Sequence, residues 1–223
     1  MKQSASACTY RRSWLMAFTF ATLLATAAFT QTPNGNILAN LPAEGNPATV
    51  KPTLTPEQCQ IKNFGQVTGQ YFRGAQPKES EYKQLAALGV KTVIDLRDET
   101  ERYAKTQVES AGMNYINVPM SDTKIPPQET VQRFLALVKD QGNFPIYVHC
   151  KGGRHRTGIM TAVYRMTFEG WDVEKAYDEM KDFDFYTRWG HKAMKTFVFK
   201  YWDELQIARK EAATQTVPAA INQ

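Results

Sequence analysis

The residues of this chain best suited to catalysis are Cys150 and Arg156, which are separated by five residues, two of them glycines. The apolar run 146–148 precedes the cysteine, and a stretch of helical composition follows the arginine. A loop of this length between a strand and a helix aims successive backbone N–H groups at one point, where the positive end of the helix dipole adds to them. The spacing therefore predicts an anion-binding loop with a cysteine at its floor.

The predicted surroundings of Cys150 make it a nucleophile. A cysteine beside cations at a helix N-terminus has a depressed pKa and is largely thiolate at neutral pH. Arg156 can bind two phosphoryl oxygens with its planar guanidinium, and it matches the charge spread over a loose phosphoryl-transfer transition state. Thr157 can donate its hydroxyl to the sulfur and favour the thiolate. We expect the phosphate-binding loop to consist of Lys151, Gly152, Gly153, Arg154, His155 and Arg156.

The pattern His149-Cys150, five residues, Arg156-Thr157-Gly158 resembles the cysteine-based protein tyrosine phosphatase superfamily, and its central position in the chain resembles the dual-specificity branch. The resemblance implies a phosphocysteine intermediate at Cys150, no metal or other cofactor, and His149 as a support of the loop. Three further segments, 63–65, 71–77 and 88–94, are similar to the plant and fungal atypical dual-specificity phosphatases, which act on phosphoproteins and inositol pyrophosphates.

Asp122 is the candidate general acid. It lies 28 residues before Cys150, in a loop that contains Pro126 and Pro127, and the resembled family carries its general acid on such a loop at about this distance. Asp122 would protonate the leaving oxygen and then accept a proton from water; the alternative is an aspartate that caps a turn. Asp95 and Asp98 are rivals, the first expected to be structural at a strand end and the second expected to be a surface or N-cap residue.

These residues predict a metal-independent phosphomonoester hydrolase, with a protein-tyrosine or dual-specificity phosphatase as the first reading. The cations Lys151 and Arg154, with His155, would also suit clustered phosphates, so an inositol phosphate, inositol pyrophosphate or phosphoinositide phosphatase is the alternative. Lys151 and Arg154 could equally face solvent, and Arg73, expected in a turn, could be a phosphate contact, a loop contact or part of a structural salt bridge. A rhodanese-like sulfur transferase and a non-catalytic phosphate-binding module are less favoured.

Helical and strand patterns alternate along the central part of the chain. The pattern is helical at 79–88, 131–138, 157–168 and 173–180. Apolar runs typical of strands lie between the first three of these, at 90–96, 115–118 and 146–148, and a last amphipathic helix spans 193–205. Pro119 is expected to end the second of those runs. This order predicts an α/β fold, a single phosphatase domain over 57–210 with a central, largely parallel sheet flanked by helices. Trp171, Trp189 and Trp202 are expected in the core and His191 on the surface.

The two ends of the chain differ in composition from the domain. Residues 1–30 carry three basic residues and no acid and contain an apolar run at 14–29, the pattern of a secretory signal peptide, with an uncleaved signal anchor as the alternative. Residues 31–56 read as a proline-rich, unstructured tether, and 211–223 as a flexible tail. We therefore expect an exported protein, periplasmic or secreted, with a membrane association only if the leader stays uncleaved.

Charge and cysteine content narrow the function further. The chain has 27 basic and 22 acidic residues, a net charge of +5. Removal of residues 1–30 would leave 24 basic and 22 acidic residues, so most of the excess positive charge lies in the predicted leader. With no basic helix or zinc-ligand spacing, we expect no nucleic-acid partner; the partner is a phosphorylated protein or an inositol or lipid phosphate, bound by a monomer. Three cysteines cannot form a disulfide scaffold, although Cys59 could pair with Cys150 as a redox guard.

Overall fold

The structure is a computed structural model, and it describes residues 52–215. The predicted leader at 1–30 and the tether as far as residue 51 lie outside the described residues, as do residues 216–223 of the predicted tail. Within 52–215, no helix is both long enough and apolar enough to cross a membrane.

A five-stranded sheet forms the centre of the domain, in the order β1-β2-β5-β3-β4. The pairs β2·β5, β5·β3 and β3·β4 are parallel, and β1 joins the edge as the antiparallel partner of β2. The predicted α/β fold with a largely parallel sheet is confirmed. The strands are β1 (Gly65–Thr68), β2 (Tyr71–Ala75), β3 (Thr92–Arg97), β4 (Asn114–Met120) and β5 (Ile146–Cys150).

Six helices cover the two faces of the sheet, because parallel strands are joined by crossovers that lie on its faces. One face packs against α1 and α2, and the other against α3, α4, α5 and α6, which gives two separate apolar cores. Helix α4 directly follows β5 and is buried along most of its length. The helices are α1 (Tyr82–Ala87), α2 (Arg102–Ser110), α3 (Gln128–Lys139), α4 (Arg156–Phe168), α5 (Val173–Asp182) and α6 (Lys192–Gln215).

Several local predictions were wrong or incomplete. The hairpin β1–β2 and helix α2 were not anticipated, and Arg73, expected in a turn, lies inside β2. Pro119 does not end its strand, since β4 continues to Met120. Strand β4 lies at the edge of the sheet, where the missing N–H of a proline costs little. Helix α6 extends to Gln215, five residues into the segment expected to be flexible.

The aromatic predictions also need correction. Trp189, expected in the core, is 74% exposed, because it follows α5 in a loop rather than on an apolar helix face. Trp171 is half-buried between the cationic groups of Arg165 and Lys175, and Trp202 packs at the edge of the core. His191, expected on the surface, is 8% exposed.

Candidate active site

The loop 151–155 joins the end of β5 to the start of α4, as the sequence predicted. Cys150 is the last residue of β5 and is only 4% exposed, so the sulfur lies at the bottom of the loop. Strand β2 runs beside β5 with Ala75 opposite Cys150, which brings the segment around β2 against the outer side of the loop.

Three successive carbonyl groups of the loop point away from its centre, and each one accepts a hydrogen bond from the segment 63–76. The amide of Gln76 donates to the carbonyl of Lys151 at 3.3 Å. Asn63 Nδ2 donates to the carbonyl of Gly152 at 3.2 Å, and Arg73 Nη2 donates to the carbonyl of Gly153 at 2.9 Å. In a trans peptide the C=O and the following N–H point in opposite directions, so the next amides are directed toward the centre of the loop.

Gly153 is the position where the loop needs a glycine. Its φ is +69°, and a Cβ there would lie 2.4 Å from the carbonyl carbon of Gly74 and 2.6 Å from the amide nitrogen of Ala75. A side chain would therefore force the loop away from β2. Gly152 has open space around it, apart from the side chain of Arg154.

The groups around Cys150 favour its thiolate. Burial raises the pKa of Cys150, but the hydroxyl and amide of Thr157, the charge of Arg156 and the amide of Gly153 outweigh burial, so the pKa lies below its ordinary value. The Thr157 hydroxyl is itself buried, and no hydrogen-bond partner within 52–215 competes with the sulfur for it. A thiolate is the form of cysteine that attacks electrophiles.

Arg156 begins α4 and is 7% exposed. Its Nη1 donates to Asp98 Oδ1 at 2.8 Å and to the carbonyl of Met120 at 3.2 Å. Asp98 was expected to be a surface or N-cap residue; its side chain is 55% exposed, but the N-cap of α2 is Glu101, and Asp98 instead binds the arginine of the loop. Sequence alone had no signal for this pair, since 58 residues separate its members.

Asp122 lines a cavity of about 240 Å³ together with Cys150 and Arg156. The candidate nucleophile, the arginine and the candidate acid are thus brought to one site. The remaining lining residues of this cavity are Lys151, Gly152, Arg154, His155, Tyr186 and His191.

Asp95, the other rival for the acid, is fully buried away from that cavity. It binds Arg97 through both carboxylate oxygens, at 3.0 and 2.8 Å, and it accepts a hydrogen bond from Tyr115. His149 is also fully buried, with Nδ1 at 3.8 Å from the Asp95 carboxylate and 3.4 Å from the carbonyl of Cys150. Burial lowers the pKa of His149, so the ring is neutral at neutral pH.

One wall of the cavity is made of rings. His155 stacks on His191 with ring centroids 3.6 Å apart and meets Tyr186 edge-on. Burial, followed by the charge of His191, lowers the pKa of His155 to about 4. His155 is therefore neutral at neutral pH and adds no positive charge, although the sequence suggested grouping it with the cations.

A second cavity, of about 490 Å³, adjoins the first and shares Arg154 and Tyr186 with it. Arg154, Lys181 and Arg188 line it, and Arg154 pairs with Asp184 at 3.3 Å. Lys151 is exposed and lines the first cavity. It also lines a third cavity, to which Asp98 and Arg156 contribute. Both predicted loop cations thus lie at the rim of the site rather than at its floor.

Of the alternatives considered for Arg73, the structure shows the loop contact, through the carbonyl of Gly153. The structure also adds residues that the sequence did not assign. Asn63 belongs to a segment that carried the family resemblance, and that resemblance was the only signal for it. His191 and Tyr186 lie in a loop with no recognisable pattern. Cys59 and Cys150 are both free thiols, so the suggested pairing is not formed. In the part of the chain that the structure describes, no cluster of three or more His, Cys, Asp or Glu side chains could hold a metal ion.

A sequence model of one phosphatase family matches most of this domain. The family is described as a DSP-PTPase phosphatase fused to NAD+ kinase, and the match covers residues 48–196. The matched stretch contains all five strands and the whole loop around Cys150.

Curated relatives agree with this match. The dual-specificity protein phosphatase TpbA of Pseudomonas aeruginosa is 28% identical over 119 residues, which are 53% of this chain and 53% of that protein. The inositol diphosphatase SIW14 of Saccharomyces cerevisiae is 27% identical over 143 residues, 61% of this chain and 50% of that protein. The chain thus spans about half the length of these relatives.

The same fold occurs in solved structures. The core catalytic domain of the PP-IP phosphatase SIW14 from S. cerevisiae, crystallised with citrate, superposes with a TM-score of 0.57 at 24% identity. The superposition covers 71% of this chain and 96% of that one.

Proposed function

Because the chain belongs to the DSP-PTPase phosphatase family, we propose that it hydrolyses phosphomonoesters through a phosphocysteine intermediate at Cys150, as a protein-tyrosine or dual-specificity phosphatase. The observation that carries the proposal is the outward direction of the carbonyls of residues 151–153, each of which is hydrogen-bonded from behind. The amides that follow them form an anion site directly above a thiolate.

In the first step the Cys150 thiolate attacks phosphorus, the S–P bond forms and the P–O bond to the leaving group breaks. Arg156 and the loop amides neutralise the charge of the phosphoryl oxygens, a role for which no metal ion is needed. Asp122, in the same cavity, donates its proton to the leaving oxygen.

In the second step water attacks phosphorus, and Asp122 takes the proton that the water loses. The S–P bond breaks, and inorganic phosphate and the Cys150 thiolate are released. The Thr157 hydroxyl, which lowers the pKa of Cys150, stabilises the departing thiolate by the same interaction.

Replacing the nucleophile tests this mechanism. Cys150→Ser should abolish turnover of p-nitrophenyl phosphate while inorganic phosphate still binds, because the loop amides and Arg156 are retained. Binding is measured by isothermal titration calorimetry on the purified chain. Cys59→Ser is the matched control and should keep full turnover under reducing conditions. Turnover by Cys150→Ser equal to that of the wild type would falsify the mechanism.

A second substrate class is favoured by the cavity beside the active site. Arg154, Lys181 and Arg188 line it with one carboxylate, Asp184, so a second phosphate on the substrate would meet net positive charge. We therefore keep inositol phosphates, inositol pyrophosphates and phosphoinositides as the alternative substrates.

A substrate screen separates the two classes. If the substrate is a phosphotyrosine protein, kcat/KM for phosphotyrosine peptides should exceed kcat/KM for inositol polyphosphates. In that case Arg188→Ala should leave both values of kcat/KM unchanged. If the substrate carries several phosphates, Arg188→Ala should raise KM for it and leave KM for p-nitrophenyl phosphate unchanged. Thiosulfate turnover without phosphatase activity would instead favour the rhodanese-like alternative.

We also propose that the protein is exported and works outside the cytoplasm, in the periplasm or after secretion. The support is the composition of residues 1–30, with a basic start followed by an apolar run. Fractionation of the native host tests export, and recovery of the protein only from the cytoplasm contradicts it. The mass of the purified protein tests cleavage, since cleavage near residue 30 removes the leader and an intact mass favours the signal anchor.

A further inference from the structure

We propose that Arg73 and Asn63 are positioning residues that hold the phosphate-binding loop in its anion-binding form from the side opposite the substrate. The inference rests on the proposed function, since it concerns the same site. Neither residue lines the cavity that contains Cys150. They act on the loop through its carbonyl groups, and we call the pair the carbonyl clamp.

Arg73 is buried in a way that packing alone does not explain. It is 0% exposed in the middle of β2, and its guanidinium lies 4.0 Å over the ring of Phe183. Only Nη2 has a partner, the carbonyl of Gly153; Nε and Nη1 have none among the described residues. Burying a guanidinium with two unpaired nitrogens is costly, so a fully buried arginine here indicates a gain elsewhere.

That gain is at the loop. Gly153 has a left-handed backbone, and a glycine peptide has wide conformational freedom, so its carbonyl could turn unless something fixes it. The charge-assisted bond from Arg73 fixes it, and this sets the direction of the amide of Arg154. The positive charge of Arg73 also lies close enough to Cys150 to interact with the thiolate.

Three other groups interact electrostatically with Arg73. They are Tyr71 and Glu179, both with a larger effect than Cys150, and Arg165. Glu179 is engaged by Arg165, at 3.1 Å from Nε, and it forms no hydrogen bond with Arg73. Among the described residues, the hydrogen bond of the Arg73 guanidinium therefore goes to the loop.

Asn63 fixes the preceding peptide and connects two loops. Its Nδ2 donates to the carbonyl of Gly152 and, at 3.1 Å, to the carbonyl of Phe183, the residue whose ring covers Arg73. Holding the Gly152 carbonyl outward directs the amide of Gly153 inward, and that amide is among the groups that lower the pKa of Cys150. The two side chains thus act on neighbouring peptides of one loop.

The test measures the loop without relying on turnover. Inorganic phosphate binding is measured by calorimetry, and the pKa of the Cys150 thiol is measured from the pH dependence of its alkylation by iodoacetamide, followed by mass spectrometry. Arg73→Met should weaken phosphate binding about tenfold. It should also raise the alkylation midpoint by about one pH unit, because a donor and a nearby cation are both lost. Arg73→Lys, which keeps the charge and a donor, should recover part of both.

Asn63→Gly is the second variant, and it decides the question if Arg73→Met does not fold. Asn63 has φ +54°, which glycine adopts without strain, so this change removes the amide and leaves the backbone conformation. We expect phosphate affinity to fall by about threefold to tenfold.

Two matched controls separate positioning from general destabilisation. Arg209→Met removes another arginine that donates to backbone carbonyls, those of Met166 and Thr167, and Asn143→Ala removes an amide that binds the carbonyl of Leu137. Both should lower the melting temperature and leave phosphate affinity and the Cys150 midpoint unchanged.

The proposal is overturned if folded Arg73→Met and Asn63→Gly both keep the wild-type phosphate affinity and alkylation midpoint. A wild-type chain that hydrolyses no phosphomonoester would refute the proposed function, yet the alkylation midpoints would still report on the clamp. Wild-type turnover with no effect of the variants would refute the clamp alone.

Discussion

Arg156 Nη1 lies 2.8 Å from Asp98 Oδ1, so the arginine of the phosphate-binding loop is held by a carboxylate from the loop that follows β3. The same nitrogen bonds the carbonyl of Met120, the last residue of β4 and two residues before Asp122. The guanidinium is therefore fixed from two strand ends. The second contact also ties the arginine to the segment that carries the candidate acid.

Removing the Asp98 side chain should weaken substrate binding. Asp98→Ala takes away one of two acceptors of Arg156 Nη1, and we expect kcat/KM for p-nitrophenyl phosphate to fall about tenfold, mainly through KM. In Asp98→Asn, kcat/KM should fall less, since an amide oxygen still accepts the hydrogen bond from Arg156. Steady-state kinetics measure both. Glu99→Gln removes a neighbouring exposed carboxylate and serves as the control for charge; equal losses in Asp98→Asn and Asp98→Ala would contradict a role for the hydrogen bond.

Thr157→Val should move the acidic limb of the pH–rate profile. Activity rises as pH increases through the pKa of Cys150, because the thiolate is the reactive form. Since the Thr157 hydroxyl lowers that pKa, its loss should shift the limb of kcat/KM to higher pH by about one unit. Thr161→Val, one turn further along α4, removes a hydroxyl that bonds Tyr71 instead, and it should leave the limb in place. A limb unmoved in Thr157→Val would exclude the hydroxyl from thiolate stabilisation.

Asp122→Asn should slow turnover most for substrates with poor leaving groups. An asparagine cannot protonate the departing alkoxide, so kcat for an alkyl phosphate should fall by about 10²-fold or more. The loss should be much smaller for 2,4-dinitrophenyl phosphate, whose leaving group needs little protonation. Equal losses for both substrates would assign the proton transfer to another group.

Gly153→Ala should destabilise the protein and distort the loop. The new Cβ would lie 2.4 Å from a backbone atom of Gly74, and φ +69° is unfavourable for alanine. We expect a loss of about 2 kcal/mol or more in the free energy of unfolding, measured by urea titration. Gly152→Ala, where the space is open, is the control and should cost less than about 1 kcal/mol. Similar costs at the two positions would contradict the close approach of the loop to β2.

The chemistry of the site could be predicted from the sequence because its central part is contiguous. Cys150, the five-residue loop, Arg156 and Thr157 form one local turn, in which strand, glycines and helix start determine the geometry together. The alternation of helices and strands likewise identified the α/β fold, since apolar periodicity is a local property. Asp122 lines the same cavity, because the parallel strands β4 and β5 end on the same edge of the sheet.

Tertiary structure decided which distant residues serve that loop. The contacts of Asp98 with Arg156, Arg73 with Gly153 and Asn63 with Gly152 span 58, 80 and 89 residues. The order of strands in the sheet, which no local pattern encodes, places β2 beside β5 and so brings two of these donors behind the loop. The burial of His191 and the exposure of Trp189 also depend on tertiary structure. Both residues lie in the loop after α5, whose path over the site no local pattern encodes. Local sequence thus specified the loop and the groups proposed to react, and long-range packing specified the residues that hold them.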